Sequence, residues 1–423
     1  MSVKRFIWEI LAVLAFALFL TFPTEARGVE YVLGEESQPQ EGVPKGTVTK
    51  HTFDSSEIYP DTTFEYWVYV PAQYKESEPA CVMVFQDGAG YVLMGGNEEG
   101  IVQAPAVFDN LIQKGEMPVT IGIFINPGSK GTPYDQRPIQ YVPVNDNYAR
   151  FLLEEILPEV GKDYNLIDDR SGRAICGMSD GGVCSFTVVW ERPDAFSKAI
   201  SHVGSYTRLD GGSRYPYLIR KTRGNPKPIR VFFQDSEHDI NILEGNWALG
   251  NLQMESALMF ARYDYQFVWG VGGHDTRHGG AIFPDTLRWL WRDYPGVKGA
   301  GDAADPNDVV GEWDVVTNVI GSMSNSVLTV SIEDGALVAS LHDEQEGEVE
   351  ILAITYEDGV LSYEYVPPVS QKSWKEPEEE NTTWTTWLKV SGNMFKGALT
   401  PGIDEEYDFS VEGQRRGATP DTD

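Results

Sequence analysis

The chain has 423 residues, with 33 Lys and Arg against 64 Asp and Glu, and a formal net charge of −31. A surplus of that sign repels phosphate backbones and anionic lipid surfaces, which excludes nucleic acid as a partner. At roughly 100–200 residues per domain the length calls for two folded units, and 41% hydrophobic with 12% aromatic residues is enough apolar material to give each a core.

Residues 1–26 read as an export signal. Lys4 and Arg5 precede an apolar stretch from Ile10 to Phe22, and Thr24-Glu25-Ala26 offers small residues for cleavage. The apolar stretch is shorter than the roughly 20 residues that cross a bilayer. The expectation is a cleaved signal, a periplasmic or extracellular protein, and no stable membrane association afterwards. Residues 27–50 scatter Gly, Pro, Glu and Gln without apolar periodicity and read as a flexible leader.

An α/β unit is expected over 51–295. Its first strand is TFEYWVYV from Thr63, followed by CVMVFQD, VTIGIFI, RAICGM, KAISHV, PIRVFFQD and YDYQFVWG. Helical patterns lie between several of these, at Asn147–Gly161, Asn246–Ala261 and Pro284–Arg292. Strands alternating with helices imply a mostly parallel sheet covered on both faces. A linker, 296–308, leads to a segment of different texture. Over 309–416 short Thr-, Val-, Trp- and Tyr-rich runs between Gly and acidic turns predict a small all-β domain, an antiparallel barrel or sandwich, before a tail at 417–423. Trp313, Trp374, Trp384 and Trp387 there read as packing residues; Trp384 and Trp387, three apart, fall on opposite faces of a strand. Cys81, Cys176 and Cys184 sit in apolar runs and read as buried free thiols.

The chemistry is concentrated where the strand Ala174-Ile175-Cys176 runs into Gly177-Met178-Ser179-Asp180-Gly181 and then a helical stretch. A strand-to-helix turn of this kind holds a serine in a strained, exposed position with glycines where side chains would clash. A serine hydroxyl is a weak nucleophile and needs a histidine base, itself held by a carboxylate. After PIRVFFQD the acids on offer are Asp235, Glu237 and Asp239. After YDYQFVWG the histidines are His274 and His278, of which His274 lies nearer the strand end. Asp180 brings its backbone N–H to the oxyanion, and the Gly88 loop is expected to supply a second donor. His278, Tyr91 and Trp247 are pocket candidates. The pair His274 and His278 also has the spacing of a helical zinc motif, but the flanking glycines argue against a helix, so no metal or organic cofactor is expected.

The stretches YWVYVPAQY, VFQDGAGYV, NYARFLLEEILPEV, ICGMSDGG, VFFQDSEHDI and FVWGVGGHDTRHGG together resemble the Putative esterase family of α/β-hydrolases, which includes enterochelin esterase, feruloyl esterase domains and mycolyltransferases. The resemblance implies Ser179 as nucleophile, Asp239 as acid and His274 as base. It departs from many relatives in carrying Asp180 after the serine and Ser-Glu-His before Asp239. Gly311-Glu312-Trp313 is similar to the Gly-x-Trp opening of lipocalin-like barrels. The expected activity is hydrolysis through an acyl-enzyme of a small-molecule or glycan-linked ester, either an acyl ester of carbohydrate or a siderophore-type ester. The rival readings are acyl transfer to a sugar and a non-catalytic glycan-binding protein. The oligomeric state, and which acyl and alcohol groups are recognised, have no signature in the sequence.

Overall fold

The computed structural model describes residues 30–92, 102–208, 211–298, 305–319, 322–367, 383–402 and 407–418. The expected signal at 1–26 lies outside them, as do Trp374 and part of the 296–308 linker. No helix among the described residues is long and apolar enough to cross a membrane.

An eight-stranded sheet is built from β1 (Thr47–Phe53), β2 (Phe64–Val70), β3 (Cys81–Gln86), β4 (Thr120–Ile125), β5 (Arg173–Met178), β6 (Lys198–His202) and β7 (Arg230–Ser236), with a short hairpin of β8 (Asn241–Ile242) and β9 (Gly245–Asn246) preceding β10 (Asp264–Gly270). The spatial order is β1-β2-β4-β3-β5-β6-β7-β10. The run from β4 through β3, β5, β6 and β7 to β10 is parallel, and β1 and β2 are antiparallel additions at one edge.

The central strands are buried on both faces, which is why they read as continuous apolar runs. Val82 and Val84 face one core with Ile175, Phe186, Val188 and Met254. Met83 and Phe85 face the other with Phe108, Leu111, Leu287 and Trp291. Apart from Ile175 of β5, those partners come from α1 (Ala104–Lys114), α3 (Asp180–Glu191), α4 (Trp247–Phe260) and α6 (Phe283–Trp291); two shorter helices are α2 (Arg137–Tyr141) and α5 (Arg277–Ala281). The expected helix at Asn147–Gly161 is present over 147–160, with a π-helical middle at Phe151–Ile156. Asn246 caps α4 by accepting from the Leu249 amide.

Two expectations are corrected. The end of the expected leader 27–50 belongs to a strand, and Thr63 does not open the first strand: Thr47–Phe53 pairs in full register with β2. Its side chains are mostly exposed, so an edge strand held by main-chain bonds leaves no apolar periodicity to read. Upstream, the Asn110 side chain donates to the carbonyls of Glu36 and Gln38, and Glu36 accepts from Arg288 and Lys114.

A second, antiparallel sheet of nine strands occupies Gly311–Arg415. It consists of β11 (Gly311–Val319), β12 (Ser322–Glu333), β13 (Ala336–Asp343), β14 (Gly347–Val349), β15 (Ile351–Glu357), β16 (Val360–Tyr365), β17 (Trp384–Ser391), β18 (Met394–Pro401) and β19 (Phe409–Arg415), in the order β14-β13-β12-β11-β19-β18-β17-β16-β15. Only Glu350 separates the two end strands, and the sheet curls into a nearly closed barrel. Trp313 and Trp384 are fully buried inside it; the Trp313 indole donates to the Val309 carbonyl at 2.9 Å, and Arg415 lies over its ring at 4.4 Å. Trp387 points the other way, against Arg262 of the α/β unit at 5.2 Å. The barrel docks along β10, the exposed edge of the first sheet: Lys389 donates to the Tyr265 carbonyl, and Asp408 accepts from Arg223 at 3.0 Å and Arg262 at 3.2 Å. An open sheet edge is thereby covered.

Candidate active site

Ser179 sits immediately after β5 with φ 59° and ψ −127°, a conformation that costs a non-glycine residue about 1–3 kcal/mol and has to be held by its surroundings. It is held from both sides. Its amide donates to the His202 carbonyl at 3.0 Å, and its carbonyl accepts from Ser205, Gly182 and Val183. A Cβ at Gly177 would stand 2.3 Å from the Gly181 carbonyl oxygen, so the turn closes only with glycine there. The helix α3 begins at Asp180, so its positive N-terminal end lies directly after the serine.

The other two loops follow β7 and β10, neighbouring parallel strands, and therefore leave the sheet at the same rim as Ser179. They are tied to each other by main-chain bonds, Glu237 N–H to the Gly270 carbonyl at 3.0 Å and His238 N–H to the Gly272 carbonyl at 3.2 Å. Across them the His274 Nδ1 meets the Asp239 Oδ1 at 2.6 Å. The Asp239 side chain is fully enclosed, and that of His274 is 20% exposed. This leaves Nε2 of His274 as the ring nitrogen for a second proton-transfer partner. The Trp247 ring abuts the imidazole edge-on, centroids 4.9 Å apart.

A model of the Putative esterase family matches residues 57–276, just over half of the chain and all three of these loops. The chain belongs to that family. Solved structures similar to this esterase include a ferulic acid esterase, at 18% identity over 59% of this chain and 99% of the other with a TM-score of 0.48. Another is the ferulic acid esterase AmCE1/Fae1A from Anaeromyces mucronatus, at 18% over 64% and 97% with 0.48. A third is the enterobactin esterase FES from Shigella flexneri, at 16% over 59% and 61% with 0.46; the esterase thus matches less than two thirds of that enzyme's length.

The residues named from sequence divide into those gathered at the rim and those that are not. Ser179, Asp180, Asp239, His274 and Trp247 are there. His278 is not paired with His274: it is buried, accepts from or donates to Gln234 at 3.1 Å, and stacks on Tyr31 at 4.1 Å between centroids. The helix α5 starts at Arg277, after His274, so the two imidazoles never share a helical face. Tyr91 is also buried, with its hydroxyl 3.2 Å from Nδ1 of His202. The Gly88 amide is already committed to the Ile125 carbonyl at 3.0 Å, so it is not a spare oxyanion donor. Its missing side chain serves strand contact instead, since a Cβ would fall 2.3 Å from the Phe124 carbonyl carbon.

Arg137, which the sequence does not single out, has a definite place in the esterase. It donates from Nε to Asp87 Oδ1 at 2.9 Å, from Nη2 to Asp87 Oδ2 at 2.8 Å and from Nη1 to Asp180 Oδ2 at 3.0 Å. One planar guanidinium thus bridges the loop after β3 to the first residue of α3. Asp180 accepts in addition from Ser205 at 2.6 Å, so the unusual acid after the serine anchors the turn from below. Burial raises the Asp87 carboxyl above its ordinary range, against the pull of Arg137. Nothing in the local sequence distinguishes Arg137 from a surface arginine. Cys81, Cys176 and Cys184 are free and buried, as expected.

Proposed function

We propose that this esterase hydrolyses its substrate through an acyl-enzyme formed on Ser179. Its Oγ attacks the ester carbonyl while His274 Nε2 takes the hydroxyl proton. Asp239 holds the imidazole in the tautomer that leaves Nε2 free and stabilises the imidazolium. The Asp180 amide, at the positive end of α3, binds the oxyanion. His274 then passes its proton to the leaving alcohol, and water, activated by the same imidazole, releases the acid and restores the serine.

The observation that carries this reading is the 2.6 Å contact between His274 and a fully enclosed Asp239, on loops that leave the sheet at the rim of the strained Ser179. The substrate class is an acyl ester of carbohydrate or a siderophore-type ester, reached by an exported enzyme. The family membership and the apolar stretch at Ile10–Phe22 support these two points. The test is a screen of purified protein on short-chain, feruloyl, acetyl-xylan and siderophore esters beside Ser179→Ala. Turnover of at least one ester, trapped as an acyl adduct on Ser179 and lost in the variant, is expected. Undiminished turnover by Ser179→Ala would sink the mechanism.

A further inference from the structure

The acid loop contains a second carboxyl that the mechanism does not use. Asp235, the penultimate residue of β7, is fully buried. Its Oδ1 accepts from the Ser236 amide at 2.7 Å, its Oδ2 is buried without a hydrogen-bond partner, and the Asn251 side chain lies beside the carboxyl. Asp239 is arranged in parallel fashion. Its Oδ1 takes the His274 ring and the Ile240 amide, both at 2.6 Å, and its Oδ2 is likewise buried without a donor. The two side chains are within hydrogen-bonding reach of each other.

Carboxylate oxygens are acceptors only, so two of them in mutual contact require a proton between them. We propose that Asp235 is a neutral carboxylic acid that donates its proton to Asp239, and that it is a positioning residue for the carboxylate that orients His274. This rests on the reading of Asp239 and His274 given above.

The surroundings leave no other source of neutralisation. From its own loop Asp235 faces Asp239, an anion, with His274 beyond it. From α4 it faces Asn251, a neutral amide. Its partner across β10 is Trp269. Among the described residues no lysine or arginine stands among the main influences on this carboxyl. Burial first, and the Asp239 charge second, hold its proton far above the ordinary carboxyl range. The neutral acid thus completes the shell of Asp239: amide and imidazole on one oxygen, a hydroxyl on the other. Asn251 extends the arrangement, since its amide donates at 2.7 Å to the carbonyl of Gly204, next to Ser205, whose amide supports Ser179.

A direct test is the infrared spectrum of the wild-type protein at neutral pH, with and without deuteration, against Asp235→Asn. A protonated carboxyl band present in the wild type and missing from the variant is expected, whether or not a substrate is known. Absence of that band from the wild type overturns the proposal. The kinetic test is the pH profile of kcat on an ester that the wild type turns over. Wild type should lose activity on the alkaline side as Asp235 ionises and repels Asp239. Asp235→Asn, which keeps a donor, should lose that alkaline limb. Asp235→Leu, which keeps the bulk without a donor, should lose kcat on the order of tenfold or more with KM little changed. Wild-type kcat and an unaltered profile in the leucine variant would overturn the positioning role. The band without turnover of any ester would uphold the shared proton while removing the catalytic reading above it.

Discussion

The two sheets of this molecule solve the same packing problem with opposite distributions of strain and charge. The barrel encloses Trp313 and Trp384 in an apolar interior, and the positive-φ residues in its strand connections are Asp and Gly in turns, such as Asp334-Gly335 and Asp358-Gly359. The α/β unit gathers a strained serine, the buried ion pairs Arg137–Asp87 and Arg137–Asp180, and two touching carboxyls at one rim of its sheet. Backbone strain and buried charge each cost stability. Their concentration in one place locates the chemistry there, and their scarcity in the barrel suits a structural body. The barrel also contacts β10 near Asp264 and Tyr265, where that strand begins, whereas the His274 loop leaves from its other end.

The contrast can be broken by substitution. The largest effect is expected for Ser179→Ala, which should lower kcat roughly 10⁴-fold or more without lowering the melting temperature. Asp239→Asn comes next, at roughly 10³–10⁴-fold in kcat, because an amide facing His274 Nδ1 selects the wrong tautomer. Trp313→Ala should do the reverse, costing about 3–5 kcal/mol in urea unfolding of the barrel while kcat on a small soluble ester holds. A fall in kcat that tracks Trp313→Ala would erase the division between the two regions. Arg137→Ala sits between them: leaving Asp87 and Asp180 without their shared cation should cost about 3–5 kcal/mol and also lower kcat, measured by melting and by turnover on the same preparation.

The pH dependence sharpens the comparison most gently. His202 is buried behind the serine turn, and burial lowers its pKa to about 3 from 6.5, with His278 adding to the shift. The folded state therefore keeps this ring neutral while the unfolded chain takes up a proton. Stability from this group is present above about pH 6.5 and is lost as pH falls toward 3. Urea midpoints should decline over that interval, and His202→Gln should flatten the decline. An unchanged slope in the variant would assign the acid sensitivity to other groups.

Much of this arrangement could be read from residue order. The central strands are apolar on both faces, so each appeared as a run of Val, Ile, Phe and Cys. The order serine, acid, histidine across the ends of β5, β7 and β10 placed Ser179 and His274 in loops that the structure brings to one rim. Of the three acids on offer, Asp239 was preferred over Asp235 and Glu237, and Asp239 is the one in contact with His274. The edge strand Thr47–Phe53 escaped notice because main-chain bonds leave no mark on composition.

Local sequence was sufficient wherever the cause is local: apolar periodicity, or a glycine that relieves a clash within five residues. It was silent on Arg137 and on the spent amide of Gly88, and it could not say what Asp235, Tyr91 and His278 face. Apart from Asp235, which faces Asp239 four residues on, each of those roles depends on a partner tens of residues away, and the sign of a buried group's contribution is set by its partner. Whether a carboxyl is an anion, a donor or a strut is decided by the groups that fill its lone pairs, and only the folded chain brings those groups together.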